Sequence, residues 1–197
     1  MAIQVNLAPY INKEFVVTGA WGEQRTGHIH AGIDLQTREA YSSGIGQPVY
    51  SMCDGIVQTV SSNSGYGPYV IIYNPVNHDL WLFGDMDSNR TVVQGQTILQ
   101  GQQIGYEGNP SGTASTGLHV HMEKENHGNN TWLGGYQNSV DPTAGTGIRN
   151  VKYSVEYIVY IYDGTPVPPE PPTPTPGDET NSRKWFKFMK RKKTIIL

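Results

Sequence analysis

The sequence predicts an all-β fold in which most neighbouring strands are antiparallel. The 197 residues include 23 glycines and 13 prolines, and Tyr, Val and Ile recur in short runs between them. This composition suits many short strands joined by tight turns, and short turns usually join antiparallel neighbours. The first hundred residues contain no long amphipathic pattern, so we expect neither a helical bundle nor a doubly wound sheet.

The N-terminal third predicts one strand and one hairpin. Residues 14–21 form a short apolar run that ends in a glycine turn. Further along, residues 48–53 lead to Asp54 and Gly55, and residues 56–60 resume as an apolar run. Because Asp-Gly between two such runs is a hairpin signal, we expect the two runs to pair across it.

The remainder of the predicted domain continues in strands. Residues 69–73 and 80–83 flank a polar turn at 75–79 and predict a second hairpin. A polar loop over residues 108–117 leads to the strand that carries His119. Residues 151–162 mix apolar and aromatic side chains and predict a last strand-like run.

The composition divides the chain into a domain, a linker and a tail. We expect one domain over residues 1–162, since the seven prolines within residues 163–177 are typical of an extended polyproline II spacer. Residues 178–197 form a basic tail with aromatic side chains, most densely over residues 183–193. The tail either rests on an anionic surface, such as a membrane or wall polymers, or is disordered and solvated.

The charge distribution argues against nucleic acid as a partner of the domain. The net charge is −3, yet half of the 14 Lys and Arg residues lie in the tail, so the domain itself is acidic. Phosphate binding needs a basic surface. The lone Cys53 excludes an intramolecular disulfide and is expected to be a small buried residue. Residues 1–15 predict no secretory signal, and no segment is long enough to span a membrane.

Two histidine motifs carry the chemistry of the sequence. His30 and Asp34 stand in one motif, and His119, His121 and Glu123 alternate along a predicted strand, where side chains two residues apart share a face. Imidazole and carboxylate are preferred zinc ligands, and a catalytic zinc site uses three protein ligands so that a fourth position stays open for water. The motifs therefore predict a metal site with a neighbouring catalytic base.

In this order along the chain, the motifs resemble those of the lysostaphin-like zinc endopeptidases, which cut the peptide part of bacterial peptidoglycan. The resemblance covers about residues 19–142. The residues that carry it are Trp21, Gly22, Arg25, His30, Gly32, Asp34, Pro48, Val49, Asp54, Gly55, Gly65, Tyr66, Gly67, Val93, Gly95, Gln96, Gly101, Gln102, Ile104, Gly105, Gly117, His119, His121, Glu123, Asp141 and Pro142.

The resemblance implies specific roles. It implies that His30, Asp34 and His121 hold Zn²⁺ and that His119 stays free as a catalytic residue. It also implies an antiparallel β-sheet platform with a groove walled by loops. Tyr66 is expected to border this groove and to bind substrate through its hydroxyl, although a packed turn aromatic is an equal alternative.

One position departs from the family pattern. The family usually supplies a second catalytic imidazole after an aromatic and a small residue, whereas this chain has Asp85 after Phe83 and Gly84. Asp85 is then a substitute general base, a structural residue at a site with altered chemistry, or a sign of lost catalysis. His78 could substitute only by a shifted alignment.

Other histidines and Glu123 have simpler interpretations. His28 lies two residues before His30, but the spacing to Asp34 favours His30 as the ligand. His127 is expected to be a surface loop residue. Glu123 either hydrogen-bonds a ligand imidazole or is an ordinary structural glutamate.

The sequence thus predicts a zinc-dependent endopeptidase that hydrolyses an amide in the stem peptide or cross-bridge of peptidoglycan. The absence of a secretory leader suggests a bacteriophage protein, either a lysis enzyme or a wall hydrolase of the virion, located in the virion or in the host cytoplasm before lysis. The alternative is a non-catalytic wall-binding or structural module that retains the zinc site. Asp85 is the residue that suggests this alternative.

Overall fold

A ten-stranded β-sheet dominates the computed structural model, which describes residues 2–109, 117–156 and 158–164. The strand order is β1, β14, β2, β5, β12, β9, β8, β7 and β10, and β13 also pairs with β12. Two further sheets of two strands each join β11 to β6 and β3 to β4. Only β1 and β14 run parallel among these pairs, so the predicted all-β, antiparallel fold is confirmed.

The described elements are mostly short. The strands are β1 (Ile3–Gln4), β2 (Glu14–Gly19), β3 (Gln24–Arg25), β4 (His28–Ile29), β5 (Ile33–Thr37), β6 (Pro48–Tyr50), β7 (Gly55–Asn63), β8 (Gly67–Asn74), β9 (Asp79–Gly84), β10 (Thr97–Ile98), β11 (Gln103–Tyr106), β12 (Val120–Asn126), β13 (Ser139–Val140) and β14 (Tyr160–Ile161). The helices are α1 (Arg38–Ser43) and a 3₁₀ turn (Tyr136–Asn138). No helix in this described part is long and apolar enough to cross a membrane.

Strand β12 lies in the middle of the sheet, between β5 and β9. Val120 and Met122 on β12 are buried in the main apolar cluster, together with Ile33 and Leu35 of β5 and Phe83 of β9. Because side chains alternate along a strand, His121 and Glu123 point to the opposite face. They are nevertheless buried, so β12 is covered on both faces.

The predicted hairpin at Asp54 and Gly55 is wrong. Strand β6 pairs with β11, whereas β7 pairs with β8 and β10, so the two flanking runs belong to different sheets. Gly55 does not have the positive φ that a tight Asp-Gly hairpin turn needs. It begins β7 instead, where a Cβ would overlap the Tyr73 carbonyl oxygen.

Other sequence predictions meet mixed outcomes. The hairpin of β8 and β9 is confirmed. Among the described residues of the run 151–162, only Tyr160–Ile161 forms a strand, so that run was predicted too long. Cys53 is buried and unpaired, and burial raises the pKa of its thiol to about 12. The basic tail and almost all of the proline-rich linker lie outside the described residues.

Candidate metal centre and catalytic cleft

The three predicted ligands meet where β5 and β12 lie side by side. Asp34 and His121 are direct cross-strand partners, and His30 lies just before β5. His121 Nδ1 is 2.9 Å from Asp34 Oδ1 and 3.1 Å from His30 Nε2, and His30 Nε2 is 3.2 Å from Asp34 Oδ1. Two imidazole nitrogens and one carboxylate oxygen therefore converge on one point.

The donor set fits a zinc ion. Tetrahedral zinc with bonds of about 2.0–2.1 Å holds neighbouring ligand atoms about 3.3 Å apart, close to the separations found among His30, Asp34 and His121. These three form the one group of potential metal ligands within the described residues whose atoms all approach this closely. Three protein ligands leave a fourth position for water or substrate.

The atoms of this triad that do not face the common point are held by neighbours. His30 Nδ1 donates to the Ala20 carbonyl at 2.7 Å, and His121 Nε2 donates to Glu123 Oε1 at 2.9 Å. Asp34 Oδ2 accepts from the Arg25 guanidinium. Such partners fix the tautomer and the ring orientation of ligand histidines, so His30 Nε2 and His121 Nδ1 are the nitrogens left for the metal.

Asp34 and His121 shift the pKa values of each other. Burial alone would raise the pKa of Asp34, but hydrogen bonds from His121 and His30 outweigh it and hold that pKa well below its ordinary value. Burial would lower the pKa of His121, yet the bonds to Asp34 and Glu123 raise it to about 10. The carboxylate is therefore ionised near neutral pH, as a metal ligand must be, whereas His121 must release a proton when it binds a metal.

His119 lies beside the triad and contacts Asp85. Its Nδ1 donates to the Gly117 carbonyl at 2.8 Å, so Nε2 is the nitrogen that faces the centre. That Nε2 is 3.3 Å from Asp85 Oδ2 and 3.9 Å from Asp34 Oδ1. Burial would lower the pKa of His119, but the Asp85 hydrogen bond and the Asp34 charge raise it overall.

Asp85 reaches this position through an uncommon backbone conformation. It follows β9 directly and has a φ of 52°, a left-handed conformation that Asp tolerates better than most residues. Its backbone N–H donates to the Tyr66 carbonyl at 2.7 Å. Within the described residues, its buried Oδ1 atom has no hydrogen-bond partner, so one acceptor of the carboxylate stays available.

Tyr66 lines the same cleft, but its hydroxyl turns toward the metal centre. The hydroxyl donates to Glu123 Oε2 at 3.2 Å, and the ring lies 5.9 Å from that of His121. Burial and then the charge of Glu123 raise the pKa of this hydroxyl above its usual range. Tyr66, Glu123 and His121 are thus connected by two hydrogen bonds in series. Direct substrate binding by Tyr66 stays a prediction.

The triad and the pair of His119 and Asp85 line an open cleft of about 1110 Å³. This volume exceeds that of typical drug-sized pockets of roughly 300–1,000 Å³ and suits a segment of peptide. Arg25, Tyr136 and Lys152 contribute to its walls. The groove implied by the family resemblance is therefore present.

Three histidines from the sequence lie away from the triad. His28 is exposed at the cleft wall, and its Nδ1 contacts the Thr26 carbonyl. His78 is hydrogen-bonded to Tyr73 in the exposed turn between β8 and β9, so it does not replace the missing imidazole. His127 pairs with the buried Glu125 at 2.8 Å.

Sequence reasoning assigned no role to the charges around the ligands. Lys152 pairs with Glu23 at 2.6 Å, and Glu23 lies 3.7 Å from Arg25, which binds Asp34. Burial would raise the pKa of Glu23, but the Lys152 hydrogen bond and charge lower it overall. Lys152 is far from both histidine motifs along the chain, so no local pattern could have revealed the contact.

Residues 28–142 match peptidase family M23. This match spans more than half of the chain. It contains all three predicted ligands, and it also contains His119 and Asp85. The chain belongs to peptidase family M23. As an M23 member it is a zinc metalloendopeptidase, and the resemblance to the lysostaphin-like enzymes is confirmed.

Several solved structures share this fold. The catalytic domain of EnpA, a prophage-encoded M23 protein from Enterococcus faecalis, crystallised as a point mutant, is 30% identical, with a TM-score of 0.53 over 69% of this chain and 95% of that chain. The catalytic domain of lysostaphin from Staphylococcus simulans is 21% identical, with a TM-score of 0.52 over 68% and 90%. A chain of the SpoIIQ-SpoIIIAH pore forming complex is 19% identical, with a TM-score of 0.56 over 73% and 92%. The last two likenesses concern the fold alone.

Proposed function

We propose that this M23 domain hydrolyses an amide bond in the stem peptide or cross-bridge of bacterial peptidoglycan. The observation that carries the proposal is the convergence of His30 Nε2, His121 Nδ1 and Asp34 Oδ1 in a cleft large enough for a peptide. Membership of family M23 and the likeness to the EnpA catalytic domain support a wall peptide as substrate.

In this proposal His30, Asp34 and His121 hold the zinc ion. A zinc ion bound there supplies a Lewis acid for the scissile carbonyl and lowers the pKa of water toward about 7. Arg25 keeps Asp34 in place through Oδ2, so that Oδ1 faces the metal. Glu123 does the same for His121 through Nε2.

His119 and Asp85 are proposed to divide the proton transfers. His119 Nε2 faces the centre while Nδ1 is held by Gly117, so Nε2 can donate to an oxygen that develops negative charge. Asp85 cannot donate while ionised, but it can accept a proton through the carboxylate that contacts His119. We therefore propose that Asp85 acts as a substitute general base.

Digestion of purified walls tests the proposal. We expect the protein to release soluble muropeptides from a susceptible wall type, and a chelator to stop the release until Zn²⁺ is added back. Mass spectrometry of the products identifies the bond that is cut. Walls of several cross-link types left intact at every zinc concentration would contradict the proposal.

The alternative of a non-catalytic wall-binding module has the substitution at Asp85 in its favour, whereas membership of family M23 argues against it. An aspartate stands where the family usually has an imidazole, and its φ of 52° sets it apart from ordinary strand residues. Such a module would sediment with peptidoglycan without releasing fragments. Sedimentation and digestion measured on the same sample separate the two candidates.

We further propose a bacteriophage role, as a lysis enzyme or a wall hydrolase of the virion. The likeness to the prophage-encoded EnpA catalytic domain, at 30% identity, supports it. Detection of the protein in purified virions would favour entry into the host, whereas its presence only in the infected cell would favour lysis.

The basic tail, residues 178–197, is proposed to attach the domain to anionic wall polymers or a membrane. Its cluster of lysines, arginines and aromatic residues supports this role. Removal of residues 178–197 should weaken binding to walls or anionic vesicles at low salt, and the difference should shrink as salt screens the charges. Equal binding at low salt would exclude it.

A further inference from the structure

A segment beyond the family match reaches back to the metal centre. The match covers residues 28–142, whereas residues 149–153, here called the C-terminal strap, and residues 20–25, here called the ligand turn, both lie outside it. The strap contacts the ligand turn at several points. The residues that meet there are 129 positions apart along the chain. The strap therefore lies outside the family pattern, whereas the ligand turn contains Trp21, Gly22 and Arg25, which carry the family resemblance.

Asn150 holds the backbone of the ligand turn on two sides. Its side-chain Oδ1 accepts from the Trp21 N–H at 2.7 Å, and its Nδ2 donates to the Trp21 carbonyl at 2.9 Å. One amide side chain thus satisfies both backbone polar groups of one turn residue. Truncation of Asn150 would remove both partners at once.

Lys152 and Tyr153 extend the same attachment. Lys152 Nζ pairs with Glu23 Oε1 at 2.6 Å, and Glu23 Oε2 accepts from the Ala20 N–H at 3.3 Å. The Tyr153 backbone N–H donates to the Val17 carbonyl of β2 at 2.7 Å. The strap is therefore fixed to the sheet next to the turn that it contacts.

The ligand turn in turn contacts two of the proposed zinc ligands. The Ala20 carbonyl accepts from His30 Nδ1 at 2.7 Å, and Arg25 binds Asp34 Oδ2. Two backbone hydrogen bonds also join the turn to His30, from His30 N to the Glu23 carbonyl at 2.8 Å and from Gly22 N to the His30 carbonyl at 2.9 Å. A shift of the turn would therefore rotate the His30 ring and move Arg25.

We propose that Asn150 and Lys152 are positioning residues of the metal centre, which act by holding the ligand turn against His30 and Asp34. This inference rests on the proposed ligand set of His30, Asp34 and His121. Partners that orient ligand side chains typically contribute about 10–100-fold to metal affinity or activity. Asn150 and Lys152 act one contact further out, so we expect effects toward the lower end of that range.

Zinc affinity of the full chain tests this role with the metal alone as probe. Competition with a chromophoric chelator should show the zinc Kd rising about tenfold in Asn150→Ala and severalfold in Lys152→Met. Lys152→Arg should restore the affinity to within about twofold, since it keeps the ion pair with Glu23. Substitution with Co²⁺ should also shift the visible absorption bands in Asn150→Ala, because these bands report ligand geometry.

Glu156→Gln is the matched control. It removes an exposed ion pair with Arg149, which belongs to the same strap, but leaves the ligand turn untouched. Its zinc Kd should stay within about twofold of the parent, as expected for an exposed pair. An equal loss in Glu156→Gln and Lys152→Met would overturn the proposal in favour of a general loss of stability.

The outcomes separate this inference from the ligand assignment. Wild-type zinc affinity and Co²⁺ spectrum in both Asn150→Ala and Lys152→Met would overturn the positioning role alone. Full zinc stoichiometry in His30→Ala would instead contradict the ligand set. Should Asn150→Ala fail to fold by circular dichroism, Lys152→Met, which changes a partly exposed side chain, decides the matter.

Discussion

The ligand triad and the His119 and Asp85 pair lie side by side, but their surroundings differ. The triad atoms that do not face the common point have close protein partners, such as Ala20 for His30 and Glu123 for His121. The pair instead retains an open acceptor, because Asp85 Oδ1 is buried without a hydrogen-bond partner among the described residues. This difference agrees with the proposed roles, which are metal binding for the triad and proton transfer for the pair.

Removal of His30 should produce the largest effect in this comparison. His30→Ala deletes one of three ligand atoms, so we expect zinc content to fall to near zero and hydrolysis of peptidoglycan with it. Metal analysis of the dialysed protein measures the loss. His28→Ala is the control, because removal of that exposed imidazole should leave the zinc content unchanged. Zinc lost in His28→Ala and kept in His30→Ala would show that His28 is the ligand.

Removal of His119 should affect catalysis and spare the metal. His119→Ala deletes the imidazole that faces the centre, and we expect kcat to fall about 10³-fold, within the range for positioned proton transfer. Zinc content should remain at one ion per chain. Loss of zinc together with activity would show that His119 belongs to the ligand set, which would remove the contrast between the two groups.

Asp85 should give a smaller but decisive effect. Asp85→Ala should lower kcat about 100-fold if the carboxylate acts as the base, and zinc affinity should hardly change. Asp85→His is the companion variant, because it restores the imidazole usual in the family and histidine tolerates a positive φ. Activity of Asp85→Ala equal to that of the parent would make Asp85 structural, whereas a gain in Asp85→His would mark the native site as attenuated.

Substitutions of Glu123 and Tyr66, which are hydrogen-bonded in series to His121, should give the smallest effects. Glu123→Ala should weaken zinc binding about tenfold by releasing His121. Glu123→Gln keeps an acceptor for His121 and should lose less. Tyr66→Phe removes one hydrogen bond to Glu123, and we expect it to lower the zinc affinity by about fivefold at most. A larger rise in KM than in zinc Kd for Tyr66→Phe would instead support the predicted contact with substrate.

Local patterns predicted much of this arrangement. Alternation along β12 correctly separated Val120 and Met122, which lie in the apolar cluster, from His121 and Glu123, which line the cleft, because a strand turns successive side chains to opposite faces. The same reasoning failed at Asp54 and Gly55, where the turn signal was real but the partner strands lay elsewhere. A local pattern predicts that a strand exists, whereas its partner depends on the rest of the sheet.

Gly32 shows why part of the motif has its meaning only in three dimensions. A Cβ at Gly32 would lie 2.5 Å from the Met122 carbonyl oxygen and 2.7 Å from His121 Cε1. The glycine lets β12 approach close enough for His121 to reach the same point as His30 and Asp34. Spacing within the motif gives no sign of this contact, since its partners lie about ninety residues away.

The sequence by itself determined the residue types of the metal centre, the all-β class and the departure at Asp85. The residue types and the fold class follow from local chemistry and from the alternation of side chains along strands, whereas the departure at Asp85 follows from the resemblance to the family. Tertiary structure alone decided that Asp85 contacts His119, that Tyr66 turns toward Glu123 and that Asn150 and Lys152 hold the ligand turn. These contacts join segments that are far apart along the chain and that meet only through strand pairing and tertiary packing. The residues next to each segment in the sequence therefore give no sign of them.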